Sequence, residues 1–319
     1  MFLTQTNWHG KPYYSLDAWC KNTYGEKCYK IALDAGFTCP NRDGSVGTGG
    51  CIFCSMGGSG DFAIKLENVD ISSQIRKGLS LFGGKKTGTR FIAYFQAYTN
   101  TYAPINKLRA IYEEALNEPN VCGISIATRP DCIGNDVCTL LTELKAKYPD
   151  KFIWVELGLQ TIHENTARFI RRGYKLSCFE DAFIRLSTAK IPVIVHIILG
   201  LPGEDTQAIY ETISYLNQLK PFGVKLQLLH ILKNTDLALV YENLPFKIYT
   251  LEEYLEVLTG CIKRLSPDIV IHRVTGDGPK ELLIEPRWSL NKRMVLNSLH
   301  AKMKRENIYQ GIHFNLHHK

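Results

Sequence analysis

The 319-residue sequence predicts an α/β fold of repeated parallel strand–helix units, either doubly wound or a barrel. Three observations carry that expectation. Short runs rich in Ile and Val, apolar on both faces, recur along the chain as strands of a buried parallel sheet do. Helix-period segments separate them, so strand and helix alternate about every thirty residues. Polar residues collect just after the strands, where parallel α/β folds bind their ligands.

Residues 1–28 are aromatic and polar without a clear period, which predicts an irregular lead-in. Strands are expected at Tyr29–Asp34, Arg90–Phe95, Val121–Ala127, Phe152–Leu157, Val193–Leu199 and Val224–His230, with a seventh at Ile269–His272. Helices are expected at Val69–Leu81, Ile105–Leu116, Val137–Lys147, Glu164–Ile170, Phe179–Thr188, Thr206–Leu219 and Leu251–Leu265. Residues 83–88 form an exposed turn, and nothing resembles a flexible linker. The expected division is a lead-in at 1–28, a strand–helix domain at 29–285 and a basic, helical C-terminal extension at 286–319.

At 45% hydrophobic and 22% charged, the composition is that of a globular protein with a large core. No apolar run approaches the roughly 20 residues that span a bilayer, and the start lacks a basic segment followed by an apolar one. A cytoplasmic protein without a membrane partner is expected. Ten cysteines there would stay reduced. Cys122, Cys138, Cys178 and Cys261 fall in apolar periodic segments and are expected to be buried small hydrophobes. Cys132 follows Asp131 in a turn without a cysteine at ligand spacing; Cys20 and Cys28 lie upstream of the glycine-rich loop described next and are weak ligand candidates.

Residues 39–54 read Cys-Pro-Asn-Arg-Asp-Gly-Ser-Val-Gly-Thr-Gly-Gly-Cys-Ile-Phe-Cys and follow the first strand. Cys39, Cys51 and Cys54 sit among glycines that let the backbone wrap around something small. Structural zinc takes four protein ligands, and an iron–sulfur cluster takes one cysteine per ligated iron. Three readings follow: an open cluster with one iron left to bind another molecule, zinc completed by a distant His or Cys, or a loop that binds nothing.

The strand ends facing this loop carry Gln96, Tyr98, Thr99 and Asn100; Thr128, Arg129 and Asp131; Gln160, with Glu156 inside its strand; Glu204 after Gly200 and Gly203; and Lys233 and Asn234. Asp131 and Thr161 are N-cap candidates. Capping alone does not account for five consecutive polar strand ends.

These residues bear a family likeness. Cys-Pro-Asn-Arg-Asp-Gly (39–44), Tyr-Phe-Gln-Ala-Tyr-Thr-Asn-Thr-Tyr (94–102), Thr-Arg-Pro-Asp (128–131), Val-Glu-Leu-Gly-Leu-Gln (155–160) and Gly-Leu-Pro-Gly-Glu (200–204) resemble the radical S-adenosylmethionine superfamily over about residues 12–300. The Cys-x11-Cys-x2-Cys spacing departs from the superfamily's commonest Cys-x3-Cys-x2-Cys and is similar to its Elongator-like long-loop subgroup, above all the bacterial YhcC/YtqA family. The resemblance implies a partial (β/α)6 TIM-type barrel. It also implies a 4Fe-4S cluster on Cys39, Cys51 and Cys54, whose open iron is chelated by S-adenosylmethionine. By the same resemblance Gln96, Thr99 and Asn100 contact the methionine amino group, and Gln160 and Arg172 reach the methionine and its carboxylate. His196 falls where related porphyrinogen oxidases place an Asp on the ribose.

The same likeness implies a tRNA substrate and a flavodoxin- or ferredoxin-type electron donor. For the YtqA-type branch it implies conversion of the 5-carboxymethylaminomethyl group of wobble uridine to 5-aminomethyl. Independently, from Arg287 onward Arg287, Lys292, Arg293, Lys302, Lys304, Arg305 and Lys319 stand against Glu306 alone, a net +6 within the chain's total of +7. With Trp288, Tyr309 and Phe314 interleaved, this segment suits a nucleic-acid backbone with bases to stack on, or else closes the fold as a solvated amphipathic helix. Glu156, His230, Lys233, His272, Arg273 and Asp277 are the expected catalytic or substrate residues. A radical enzyme acting on a small molecule such as a porphyrin, and a zinc-containing RNA-binding module without activity, are the alternatives.

Overall fold

Strands form where the Ile- and Val-rich runs fall, because only a sheet covered on both faces can bury residues that are apolar on both. In the computed structural model, which describes residues 6–64, 70–82, 88–276 and 278–314, they are β1 (Tyr29–Leu33), β2 (Phe91–Phe95), β3 (Val121–Thr128), β4 (Phe152–Gln160), β5 (Val193–Leu199), β6 (Gly223–Leu228), β7 (Ile231–Leu232), β8 (Val270–Arg273) and β9 (Leu283–Glu285). Seven of them belong to one sheet in the order β1-β2-β3-β4-β5-β6-β8, and β7 and β9 form an antiparallel pair. Asp277, Lys319 and most of the turn at 83–88 lie outside the described residues.

The predicted helices are present, several with sequence-encoded starts. Asp70 accepts from Ser73 N at 2.8 Å to cap Ile71–Ser80, Asp205 accepts from Ala208 N at 2.9 Å to cap Thr206–Leu219, and Thr250 with Glu253 makes a capping box for Leu251–Arg264. The lead-in is not irregular throughout: Leu16–Tyr24 is a helix whose buried residues are Ala18 and Cys20. Such small residues give almost no hydrophobic period, which hides the helix from a periodicity test. A further helix, Asp236–Asn243, starts at Thr235 and buries only Leu237. The C-terminal extension contains the helix Lys292–Arg305. No helix among the described residues is long and apolar enough to cross a membrane. Cys178 is half-buried in the first turn of the helix Leu176–Thr188 rather than a core residue.

Two compact units divide the chain, one of Tyr24–Gly158 and Arg171–Ile194, the other of Met1–Thr23, Leu159–Ile170 and Val195–Lys319. In the first, β1, β2, β3 and β4 pair in parallel in sequence order, so their carboxyl ends share one rim. Across these strands runs a buried polar ladder: Glu156 of β4 is fully buried and accepts from Lys30 Nζ of β1 at 2.7 Å and from Ser125 Oγ of β3 at 2.5 Å, and the Lys30 ammonium lies 4.6 Å from the Tyr94 ring centroid. A carboxylate so placed is tolerated only while it stays paired. Glu156 is therefore a structural residue of this sheet in the first instance. In the second unit β6 pairs in parallel with β8.

Replacing Lys30 by Met is expected to cost about 3 kcal/mol of unfolding free energy, because it leaves Glu156 buried without its cation. Denaturant unfolding of the variant checks this; a loss below about 1 kcal/mol would show that the ladder does not carry the charge.

Candidate active site

The loop after β1 folds back on itself through its own backbone. Arg42 N and Asp43 N donate to Cys39 O at 2.8 and 3.1 Å, Val46 N to Pro40 O at 2.7 Å, Gly50 N to Asn41 O at 2.6 Å, and Cys54 N to Cys51 O at 3.0 Å. Two side chains that sequence reasoning passed over, both inside Cys-Pro-Asn-Arg-Asp-Gly, hold the fold-back. Asn41 Nδ2 donates to Arg171 O at 2.8 Å and points at Cys51 Sγ at 3.7 Å; the Arg42 guanidinium donates to Cys54 O at 3.1 Å and Ser55 O at 2.7 Å. Gly50, at φ +73°, is required here, since a Cβ would stand 2.9 Å from Arg42 Nε.

The strand end after β2 braces the far limb of the loop. Gln96 Nε2 donates to Ser59 O at 2.6 Å, Tyr98 N to Gly58 O at 2.8 Å, Tyr98 OH to Met56 O at 2.6 Å, and Thr99 N to Thr38 O at 3.2 Å. Gly58 has φ +59°, and a Cβ on it would lie 2.3 Å from the Tyr98 ring. Asn100 is wholly buried and donates to Phe95 O at 3.2 Å and Ala127 O at 2.8 Å, locking β2 to β3, while its Oδ1 has no hydrogen-bond partner among the described residues.

Cys39, Cys51 and Cys54 are each half-buried and feel one another electrostatically. Burial, and next the neighbouring Cys54, push the Cys51 thiol up to about 12; burial also raises Cys54, against the opposing pull of Arg42. Among the described residues no three His, Cys, Asp or Glu side chains gather round a single point as one ion would need. A cubane places its thiolates on separate irons.

Beside the loop lies a cation-rich wall. Arg129, almost fully buried, forks onto Asp131 at 2.9 and 2.6 Å and donates to Arg172 O at 3.0 Å. Asp131 is thus an anchor for Arg129 and not a helix cap. Arg172, 1% exposed, donates its Nε to Tyr174 O at 3.1 Å; both guanidiniums lie 4.9 Å from the Tyr174 ring centroid, and Tyr174 OH donates to Gly158 O at 2.6 Å. Cys132, half-buried, has its Sγ 3.8 Å from Asp131 Oδ1. Cys20 and Cys28 are buried.

In the other unit Gln160 ends β4 at φ +65°, with Thr161 N donating to Leu159 O at 2.8 Å across it, a tight turn that a non-glycine residue adopts under strain. Its Oε1 is buried without a hydrogen-bond partner among the described residues. His196 is half-buried on β5. His272, the third residue of β8, packs edge-on to Phe222, 5.7 Å between ring centroids, and against Gly223 where β6 begins. Lys233 is exposed, with its backbone N–H on Leu282 O at 2.7 Å, and Arg273 ends β8 half-buried. His230 is buried with Nε2 at 2.9 Å from Ser289 Oγ, in the C-terminal extension. The extension's Trp288 donates to Tyr249 O at 2.9 Å and packs on Tyr254, so it is not a free stacking platform. Lys302 is buried between Glu256 and Glu306, which leaves Arg287, Lys292, Arg293, Lys304 and Arg305 exposed.

The family model for the radical SAM superfamily matches residues 42–216, and that for the radical SAM C-terminal domain matches 221–305. The chain belongs to the radical SAM superfamily. It is 41% identical to YtqA of Bacillus subtilis over 95% of this chain and 93% of YtqA. It is 25% identical to the tRNA uridine(34) acetyltransferase of Methanocaldococcus jannaschii over 53% of this chain and 30% of that protein. Among solved structures, Elp3 of Methanocaldococcus infernus superposes with a TM-score of 0.65 at 16% identity, covering 89% of this chain and 64% of that one, which fixes the fold as the α/β partial barrel of this superfamily.

Radical SAM enzymes use a 4Fe-4S cluster and S-adenosylmethionine, and the residues present fit both. An all-thiol donor set suits iron–sulfur chemistry, and a thiol kept protonated by burial gives up its proton to metal. The orphaned Gln160 Oε1 is an acceptor awaiting a donor such as an amino group.

Two outcomes follow. Gly58→Ala is expected to fold yet take up much less iron on reconstitution, because the left-handed backbone costs about 1–2 kcal/mol on top of the clash with Tyr98; uptake equal to the wild type would show that this brace does not matter. Burial, and then Arg273 and Lys292, bring the His230 ring down from its ordinary 6.5 to about 4. The folded chain then binds fewer protons than the unfolded one between those values, so stability falls as pH drops through the window. His230→Gln should remove about 3 kcal/mol of that acid sensitivity, seen as a flatter profile of Tm against pH.

Proposed function

We propose that this radical SAM enzyme modifies tRNA, converting the 5-carboxymethylaminomethyl group of the wobble uridine to 5-aminomethyl. The observation that carries the reading is the likeness to the uridine-34 acetyltransferase over half of this chain, in a fold shared with Elp3. Exposed Arg287, Lys292, Arg293, Lys304 and Arg305 support it, since cations in one segment suit a phosphate backbone. Bound to the protein, cluster and cofactor supply one-electron cleavage of S-adenosylmethionine to a hydrogen-abstracting 5′-deoxyadenosyl radical.

The protein's own contribution is to hold, orient and exclude water. Cys39, Cys51 and Cys54 hold the cluster. Gln160 offers its unpaired Oε1 to the cofactor's amino group, Arg172 stands for its carboxylate, and His196 for its ribose. Gln96 and Thr99 fix the loop's shape through the contacts with Ser59 and Thr38, and Asn100 offers only Oδ1, its amide being spent on β2 and β3. His230, Lys233, His272, Arg273 and Asp277 are the proposed substrate contacts. A flavodoxin- or ferredoxin-type protein is the proposed electron donor.

Nucleoside analysis of tRNA from cells lacking the gene tests this. Carboxymethylaminomethyl uridine should accumulate at the wobble position, be cleared by the wild-type gene, and persist with Cys54→Ala; Arg273→Ala should slow the clearance. An unchanged nucleoside profile in the deletion strain would overturn the proposed substrate.

A further inference from the structure

Asn41 and Arg42 do more than shape the loop. Their polar hydrogens converge on its second and third cysteines: the Asn41 amide on Cys51 Sγ at 3.7 Å, and the Arg42 guanidinium on the Cys54 and Ser55 carbonyls at 3.1 and 2.7 Å. Neither side chain is free to drift. Asn41 is 5% exposed and its Nδ2 is also tied to Arg171 O, while its Oδ1 sits where Cβ atoms on Gly47 and Gly173 would come within 2.7 and 3.1 Å. Arg42 is boxed between Gly50 and the Tyr98 ring, whose centroid lies 5.8 Å away, and Tyr98 is itself pinned to Gly58 and Met56. A simple loop clasp needs only donors to carbonyls. Here one amide is aimed at a sulfur and one fixed positive charge is held beside the neighbouring cysteine.

We infer that Asn41 and Arg42 set the reduction potential of the cluster, a role that rests on Cys39, Cys51 and Cys54 being its ligands. Cluster reduction adds one electron, supplied by a one-electron donor, and so one negative charge to the cluster and its thiolates. A hydrogen bond to a ligating sulfur and a nearby cation both stabilise the reduced form more than the oxidised one. Both are positioning residues that act through the ligands and touch no substrate. The long spacing gains a purpose from this, because the eleven residues between Cys39 and Cys51 provide the chain that carries both groups back to the sulfurs.

The test is a dithionite titration with redox mediators, under strictly anaerobic conditions and without substrate, following the electron paramagnetic resonance signal of the reduced cluster in reconstituted full-length protein. Arg42→Gln keeps an amide donor for the carbonyls and removes the charge; Arg42→Lys keeps the charge. At fixed potential the ratio of reduced to oxidised cluster in Arg42→Gln should fall about tenfold, a midpoint about 59 mV more negative, while Arg42→Lys stays close to the wild type. Equal midpoints in all three proteins, or equal shifts in both variants, would reduce Arg42 to a clasp and overturn the inference. Should Arg42→Gln fail to retain iron, Asn41→Asp decides: replacing the donor beside Cys51 with an anion must lower the midpoint, and an unchanged value overturns the inference. Wild-type protein that takes up no iron would instead remove the ligand assignment beneath it, and the inference with it.

Discussion

Eleven residues separate Cys39 from Cys51, and the chain between them must be folded against itself before three thiols can share one loop. Backbone bonds supply part of that, but the closure depends on Asn41 and Arg42, which reach from the near limb to Arg171, Cys51, Cys54 and Ser55. The rest of the first unit serves this closure. The carboxyl end of β2 supplies Gln96, Tyr98 and Thr99 as props, glycines at 50 and 58 make room for Arg42 and Tyr98, and Asn100 fixes the prop to β3.

A second constraint is charge. Thiols in a half-buried loop resist ionisation, and the same unit sets Arg42 against Cys54 and Arg129 against Cys51, Arg129 being neutralised by Asp131 and stacked, like Arg172, on Tyr174. Deeper in the sheet the one buried carboxylate of the Lys30–Glu156–Ser125 ladder is matched by its own ammonium. Cations near the loop favour bound anions there; the sealed ladder below keeps the sheet itself neutral.

Much of this was legible in the sequence because it is periodic or spaced. The β1–β6 and β8 runs and most of the helices declare themselves by apolar repeats, and the cysteines by their spacing among glycines. What was hidden has no period. The β7–β9 pair is two and three residues long, and the helix Leu16–Tyr24 buries only Ala18 and Cys20. Long-range pairing was equally invisible: nothing local says that Glu156 meets Lys30, that Trp288 is tied to Tyr249, or that Lys302 is buried by Glu256. Residues flanking the cysteines carried a usable signal, since an Asn and an Arg two and three positions after Cys39 can reach back across a tight turn. Arg129 and Asp131, two apart at a strand end, were a readable pair that capping logic assigned differently.

The central claim is that the Cys39–Cys51–Cys54 loop holds an open iron–sulfur cluster that binds S-adenosylmethionine. The most direct test is iron, sulfide and zinc content of anaerobically purified and reconstituted protein, with release of 5′-deoxyadenosine measured after adding dithionite and S-adenosylmethionine. The account predicts about four irons and four sulfides per chain, as one cubane requires, and 5′-deoxyadenosine formation that disappears in Cys54→Ala. One zinc per chain with no cofactor cleavage would contradict it.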